Sequence, residues 1–153
     1  MEPLLLSAHV LAGILFVGPA TVASSLFTRY VPVADPIPDN ARDDGRSSRV
    51  ALALHRITRV YGLLGVAVPV FGVALALVQQ RFGEIWITIA MVLTAVAGAL
   101  LAFRIVPAQA AAIVHPPARR RLLGLAALAG VFSLLWAVVV VLMIVRPGSD
   151  YSS

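Results

Sequence analysis

Apolar residues run along the chain in four long tracts, Leu4 to Phe27, Val60 to Val78, Ile85 to Phe103 and Leu122 to Val145, with no formal charge inside any of them. They do not alternate like strands, and they are too continuous for the one-sided stripe of a surface helix. The first tract has 24 residues, about 36 Å at 1.5 Å per residue, against a bilayer core of about 30 Å. The pattern predicts an all-α integral membrane four-helix bundle occupying the whole chain, 1–153, as one domain. A secretory signal peptide has a basic start and a shorter apolar stretch, whereas the only charge before the first tract is Glu2. The first tract is therefore expected to remain as a helix.

The polar segments between the tracts are unequal. Tyr30 to Arg49 holds prolines at 32, 36 and 38, aspartates at 35, 39, 43 and 44, and an Asp44-Gly45 turn signal. Ser47 or Ser48 is expected to cap a helix that starts outside the lipid and carries Arg49, His55, Arg56 and Arg59 on a solvated side. The third helix is expected to continue beyond Phe103 through Arg104, a kink at Pro107 and an alanine-rich stretch to Val114, stopping at His115-Pro116-Pro117. Gln79 to Glu84 reads as a tight hairpin. Pro19 and Pro69 fall near mid-span, where each removes a backbone hydrogen bond. The loops at 28–59 and 104–121, with the helix ends beside them, hold ten arginines, and the opposite side holds only Arg81 and Arg146. By the positive-inside rule both long loops are expected in the cytoplasm and both termini outside, N-out/C-out.

Composition sharpens this reading. The chain is 60% hydrophobic and 12% charged, where a soluble domain averages about 45–50% and about 25%. With four spans in these 153 residues, no separate soluble catalytic domain is expected within them. Cysteine is absent, which excludes disulfides, thiolate metal sites and cysteine nucleophiles. All twelve basic residues are arginine. Because they flank apolar tracts, they fit anionic lipid headgroups and not nucleic acid, with Arg119, Arg120 and Arg121 the densest group.

Candidate chemistry is sparse. Helices pack in lipid by close approach at small residues, and the third tract carries Ala90, Thr94, Gly98 and Ala102 at spacings of four, the fourth Ala129, Ser133 and Ala137. Such stripes serve either a partner's helices or the bundle itself. His9 is the one ionisable residue inside a span and the candidate for a cofactor. His55 and His115 lie near the other side of the membrane, so no two histidines of one chain can share an iron. No cofactor, metal or catalytic residue is therefore expected. The loop aspartates lack the spacing of a calcium loop, and the absence of a carboxylate from the spans argues against a proton- or cation-coupled transporter. Trp86 and Trp136 read as interfacial or packing aromatics.

Ser7-Ala8-His9-Val10-Leu11-Ala12-Gly13, the run His55-Arg56-Ile57-Thr58-Arg59 entering a glycine- and proline-containing span, Gln109 in the third helix's exit and Arg146-Pro147 after the fourth carry a resemblance over the whole chain. The chain resembles a bacterial family of four-helix membrane proteins of unknown function. That family is similar to small tetrapyrrole- or copper-associated membrane proteins whose first span opens with a histidine, although Phe16 stands where a tryptophan is often seen. The lysine-free, alanine-, valine- and arginine-rich composition resembles that of actinobacterial proteins, among which chains of this size look like accessory subunits of respiratory supercomplexes around the terminal oxidase. The resemblance implies a non-catalytic accessory subunit in a bacterial cytoplasmic membrane, its partners a larger integral membrane complex and anionic lipids. The alternatives are a haem- or metal-dependent oxidoreductase using His9 across a dimer interface, and a small transporter or channel.

Overall fold

A computed structural model describes residues 2–34, 45–81 and 83–148. These form four helices, α1 (Glu2–Tyr30), α2 (Ser48–Val78), α3 (Ile85–Val114) and α4 (Arg119–Val145), each long and apolar enough to cross a membrane. No strand occurs among the described residues. The chain is an all-α, multi-pass membrane bundle. Arg42 and the aspartates at 35, 39, 43 and 44 lie outside the described residues, so the loop expected around them is not addressed.

α2 and α3 extend well past their apolar tracts. α2 starts at Ser48, where Ser47 holds the extended backbone of a cap (φ −147°, ψ 123°) but its hydroxyl makes no capping bond. α3 ends where His115 turns extended and Pro116 and Pro117 offer no N–H. α4 ends on Arg146 in the left-handed region, φ 46°, its N–H bonded back to Leu142. These ends define two poles. The long-loop pole gathers the end of α1, the start of α2, the end of α3 and the start of α4. The terminal pole holds the start of α1, the end of α4 and the turn between α2 and α3.

Each mid-helix proline is accommodated by an irregular turn just upstream. A proline ring clashes with the carbonyl four residues before it, which means Leu15 for Pro19, Gly65 for Pro69 and Phe103 for Pro107. Leu15 lies in a widened π turn at Gly13–Val17 and Phe103 in another at Leu101–Ile105. Gly65 lies in a tightened turn where Val66 N–H bonds Leu63 O at 3.1 Å and Val68 N–H bonds Gly65 O at 3.0 Å. The helices thus continue through their prolines with a local change of pitch.

The helices form a ring in which α1 runs along α2, α3 along α4, and α4 closes onto α1. The contact seams follow helical spacing: Leu122, Leu125, Ala129, Phe132 and Val139 on α4, and Ala97, Leu101, Ile105, Gln109 and Ala112 on α3. On α1 the seam is Ala12, Ala20, Ala23 and Phe27. The main core sits toward the long-loop pole, where Phe27, Val31, Ala51, Ala97, Leu101 and Ile105 meet Leu122, Leu125 and Phe132. A smaller cluster of Ala76, Trp86 and Ile87 closes the terminal pole. Elsewhere the bundle is open, with only 11% of the most apolar stretch of α2 and 17% of that of α4 buried.

Candidate functional site

Three features stand apart from ordinary apolar packing. The first is His9, seven residues into α1 and buried, with 8% of its surface exposed. Its Nδ1 lies 3.0 Å from the carbonyl oxygen of Val68 on α2. A carbonyl only accepts, so Nδ1 carries the proton and donates it. Its Nε2 lies 3.4 Å from Met143 Sδ on α4. The ring rests against α2 at Gly72, where a Cβ would stand 3.0 Å from His9 Cε1. Glycine is thus what lets the imidazole reach the α2 backbone. Two residues above this cluster bind the rim: Gln79 donates to Glu2, and Trp86 Nε1 donates to Glu84, which also pairs with Arg81 at 3.3 Å. The Arg146 guanidinium lies 5.8 Å from the Trp86 ring centroid, a cation–π distance.

The second feature lies toward the long-loop pole. Gln109 of α3 is fully buried. Its Oε1 accepts from His55 Nδ1 at 3.2 Å and its amide nitrogen faces Thr58 Oγ1 at 3.5 Å, while the Thr58 hydroxyl donates to Leu54 O at 2.9 Å. This polar clamp joins α2 to α3. His55, expected on a solvated side, is half-buried because it turns to meet Gln109, whereas Arg49, Arg56 and Arg59 are exposed. Nearby, Arg46 donates to Thr28 O and Val31 O at the C-terminus of α1, a cation where exposed carbonyls and the helix dipole favour one.

The third feature is a cleft between α2 and α3. Although consecutive and antiparallel, these helices meet mainly at the clamp and at the hairpin. Between those points Gly62, Gly65, Thr94 and Gly98 face an apolar opening whose back wall includes Ala20, Phe132 and Trp136. Its volume is about 80 Å3. Phe132 and Trp136 pack edge to face with centroids 6.4 Å apart, and Trp136 Nε1 is buried without an acceptor among the described residues. An unmet buried donor costs about 1–3 kcal/mol.

The stripe residues are thereby divided. Ala90 and Ala129 are buried in the bundle, Thr94 and Ser133 are half-buried, and Gly98, Ala102 and Ala137 are exposed. A strict spacing of four turns about 40° per step at 3.6 residues per turn, so Ala102 stands about 120° around the helix from Ala90. The α1 seam of small residues was not singled out from sequence, although the spacing Ala12, Ala20, Ala23, Phe27 was there to be read. Arg119, Arg120 and Arg121 are exposed at the start of α4, where the helix dipole disfavours cations. Their placement is therefore not explained by helix stability. His9 and His55 belong to opposite poles and contact different residues, and no three His, Cys, Asp or Glu side chains gather around a point among the described residues. Comparison with known proteins finds no family model, no curated protein and no solved structure that matches this chain.

Proposed function

We propose that this chain is a non-catalytic accessory subunit of a larger integral membrane complex, docking through the cleft between α2 and α3. The observation that carries this reading is the cleft itself: a Cβ at Gly98 on the α3 wall meets nothing within 4 Å, which leaves room for a helix backbone to approach closely, and Trp136 Nε1 at the back of the cleft has no acceptor among the described residues. The low burial of α2 and α4 supports the same conclusion, since surfaces that close little of their own bundle are available to another. The sequence resemblance points to a respiratory oxidase supercomplex in a bacterial cytoplasmic membrane as the assembly to test first. Arg119 to Arg121 would hold this end of the chain to anionic lipid. The alternative of a haem shared by two His9 residues across a dimer is disfavoured, because the ring is buried between α1, α2 and α4 of its own bundle.

Gly98→Leu tests the docking face. A Cβ at Gly98 meets nothing within 4 Å, so the variant is expected to keep the parent's thermal stability in detergent. A branched side chain in a filled groove typically costs about 1–3 kcal/mol, so co-purification with the partner should weaken roughly ten- to hundredfold, at about 1.4 kcal/mol per factor of ten. Undiminished co-purification, or loss of the bundle's own fold, would remove the cleft as the docking site.

The arginine bias also sets an orientation to test. Reporter fusions are expected to place both termini outside the cytoplasm and the 104–121 loop inside. A C-terminal fusion active only in the cytoplasm would reverse this topology.

A further inference from the structure

We propose that Arg59 of α2 and Arg104 of α3 bind phospholipid phosphate at a level where α1 and α4 face hydrocarbon, so that the membrane boundary is stepped across the long-loop side of the bundle. The starting point is how the helices line up. Ser47 N–H donates to Tyr30 O at 2.8 Å, His9 Nδ1 donates to Val68 O at 3.0 Å, and Gln79 donates to Glu2, so α1 and α2 run level along their whole lengths. On the same count Arg59 stands beside Gly18, about 13 Å inside Phe27 at 1.5 Å per residue. Gln109 meets His55 and Thr58 and Gly62 lies against Leu101, which puts Arg104 level with Arg59. α4 starts just after α3 ends and returns Arg146 to the Trp86 ring, so on α4 this level falls near Leu128, about 9 Å inside Leu122. The helix lengths beyond the apolar tracts of α2 and α3 thus run beside apolar stretches of α1 and α4 and do not project from the bundle.

Both arginines are exposed and make no hydrogen bond or ion pair among the described residues. The described carboxylates, Glu2 and Glu84, lie at the terminal pole, so a counter-ion has to come from outside the described chain. Charges at depth are costly, and bilayers thin locally and admit water around them. The guanidinium fork matches phosphate. Direction separates descent of phosphate from simple stretching of the side chain. A helix tilts each Cα–Cβ bond toward its N-terminus, which lies at the long-loop pole for α2 and at the terminal pole for α3. Arg59 therefore leans toward the headgroups, whereas Arg104 leans away from them, so phosphate has to come down to it.

Tilting the bundle does not remove the step. A typical tilt of about 20° shifts flanks about 10 Å apart by only about 4 Å, less than half of the offset, and the leaflet supplies the rest. The exposed residues of α3 beyond Arg104 are Pro107, Ala110, Ala111 and Val114, none of them a long apolar side chain that would need hydrocarbon. Arg119 to Arg121 stand at the outer boundary on α4, so this site is distinct from theirs and deeper. It does not rest on docking at the α2–α3 cleft.

The test uses the full chain alone, in vesicles of phosphatidylglycerol and phosphatidylcholine. Cysteine is absent, so single substitutions can carry a nitroxide: Val60→Cys on α2 and Phe103→Cys on α3, with Val22→Cys on α1 and Ala127→Cys on α4 as references, all at exposed positions. Val22 and Ala127 stand nearer the long-loop pole than the positions they are compared with, so a flat boundary makes them the more accessible to water. Relaxation by a water-soluble nickel chelate is expected to be stronger at 60 and 103 than at 22 and 127, the reverse of that order. Relaxation of lipid phosphorus by the same nitroxides should follow the same reversed order. Adding Arg59→Leu and Arg104→Leu, exposed changes that should leave the melting temperature in place, is expected to abolish both reversals. A flat order with the arginines present, or a reversal that survives their removal, would overturn the proposal, and the first result would leave the two arginines to a carboxylate on a protein partner.

Discussion

Phe27→Ala is expected to destabilise the isolated protein in detergent by about 2.4 kcal/mol, an estimate from a residual cavity of roughly 100 Å3 at about 24 cal/mol per Å3. Phe27 is fully buried at the centre of the main cluster, between Val31, Ala51, Leu101 and Ile105. In a soluble protein such a truncation costs about 3–5 kcal/mol, part of which is transfer of the ring from core to water. Here the separated helices would still hold the ring among apolar chains, so the transfer part falls away and the lost packing remains. The comparison is Phe103→Ala, the same change at a residue 77% exposed, which should stay within about 0.5 kcal/mol. Unfolding by heat or by denaturing detergent reads the difference. Equal losses at the two positions would mean that the tight end of the bundle is not where Phe27, Leu101 and Phe132 place it.

The four helices were legible because each apolar tract is long enough to cross lipid, and because lipid forces any spanning segment to satisfy its own backbone. The irregular turns were legible in part: Pro19, Pro69 and Pro107 announced a disturbance, but the sequence does not say whether a helix widens or tightens to pass a proline. The structure shows both, at Gly13–Val17 and at Gly65. The facing of the helices was much less legible. In water, polarity marks the outer side of a helix, whereas in lipid both sides are apolar and the hydrophobic pattern loses its direction. Small residues were the remaining guide, and a regular step of four led along the surface of α3 from the buried Ala90 to the exposed Ala102. The seam itself lies one residue off that stripe: it steps by four through 97, 101, 105 and 109, carried by the π turn at Leu101–Ile105, and then by three to 112.

Polar partners were hardest to read, since they join residues distant in sequence. His9 was visible as a lone ionisable group, but Val68, Gly72 and Met143 are ordinary apolar or small residues until the fold brings them to it. The Gln109 clamp is similar: a glutamine in an alanine-rich helix signals buried polarity, while its partners Thr58 and His55 are fifty residues or more away. In a bilayer these few bonds carry more information about helix order than the apolar positions do, because a polar group without a partner there has no water to turn to.

That reasoning gives the sharpest substitution at the terminal pole. Gly72→Leu is expected to lower stability by a net of about 1–4 kcal/mol, combining overpacking of about 1–3 kcal/mol with a lost hydrogen bond of about 0.5–1.5 kcal/mol and a helix-propensity gain of about 0.8 kcal/mol. A Cβ at position 72 already stands 3.0 Å from His9 Cε1 and 3.4 Å from Nδ1. The rest of a leucine would occupy the imidazole's place, forcing the ring off α2 and breaking its bond to Val68 O. Gly130→Leu supplies the contrast, because a Cβ there meets nothing within 4 Å, leaving only the propensity gain. The two substitutions should therefore change stability in opposite directions. Nitrogen resonances of the His9 ring give a second readout, with the hydrogen-bonded Nδ1–H signal lost in Gly72→Leu and retained in Gly130→Leu. If Gly72→Leu is as stable as Gly130→Leu and keeps that signal, the imidazole is not seated against α2, and both the α1–α2 register and the His9–Met143 contact must be given up.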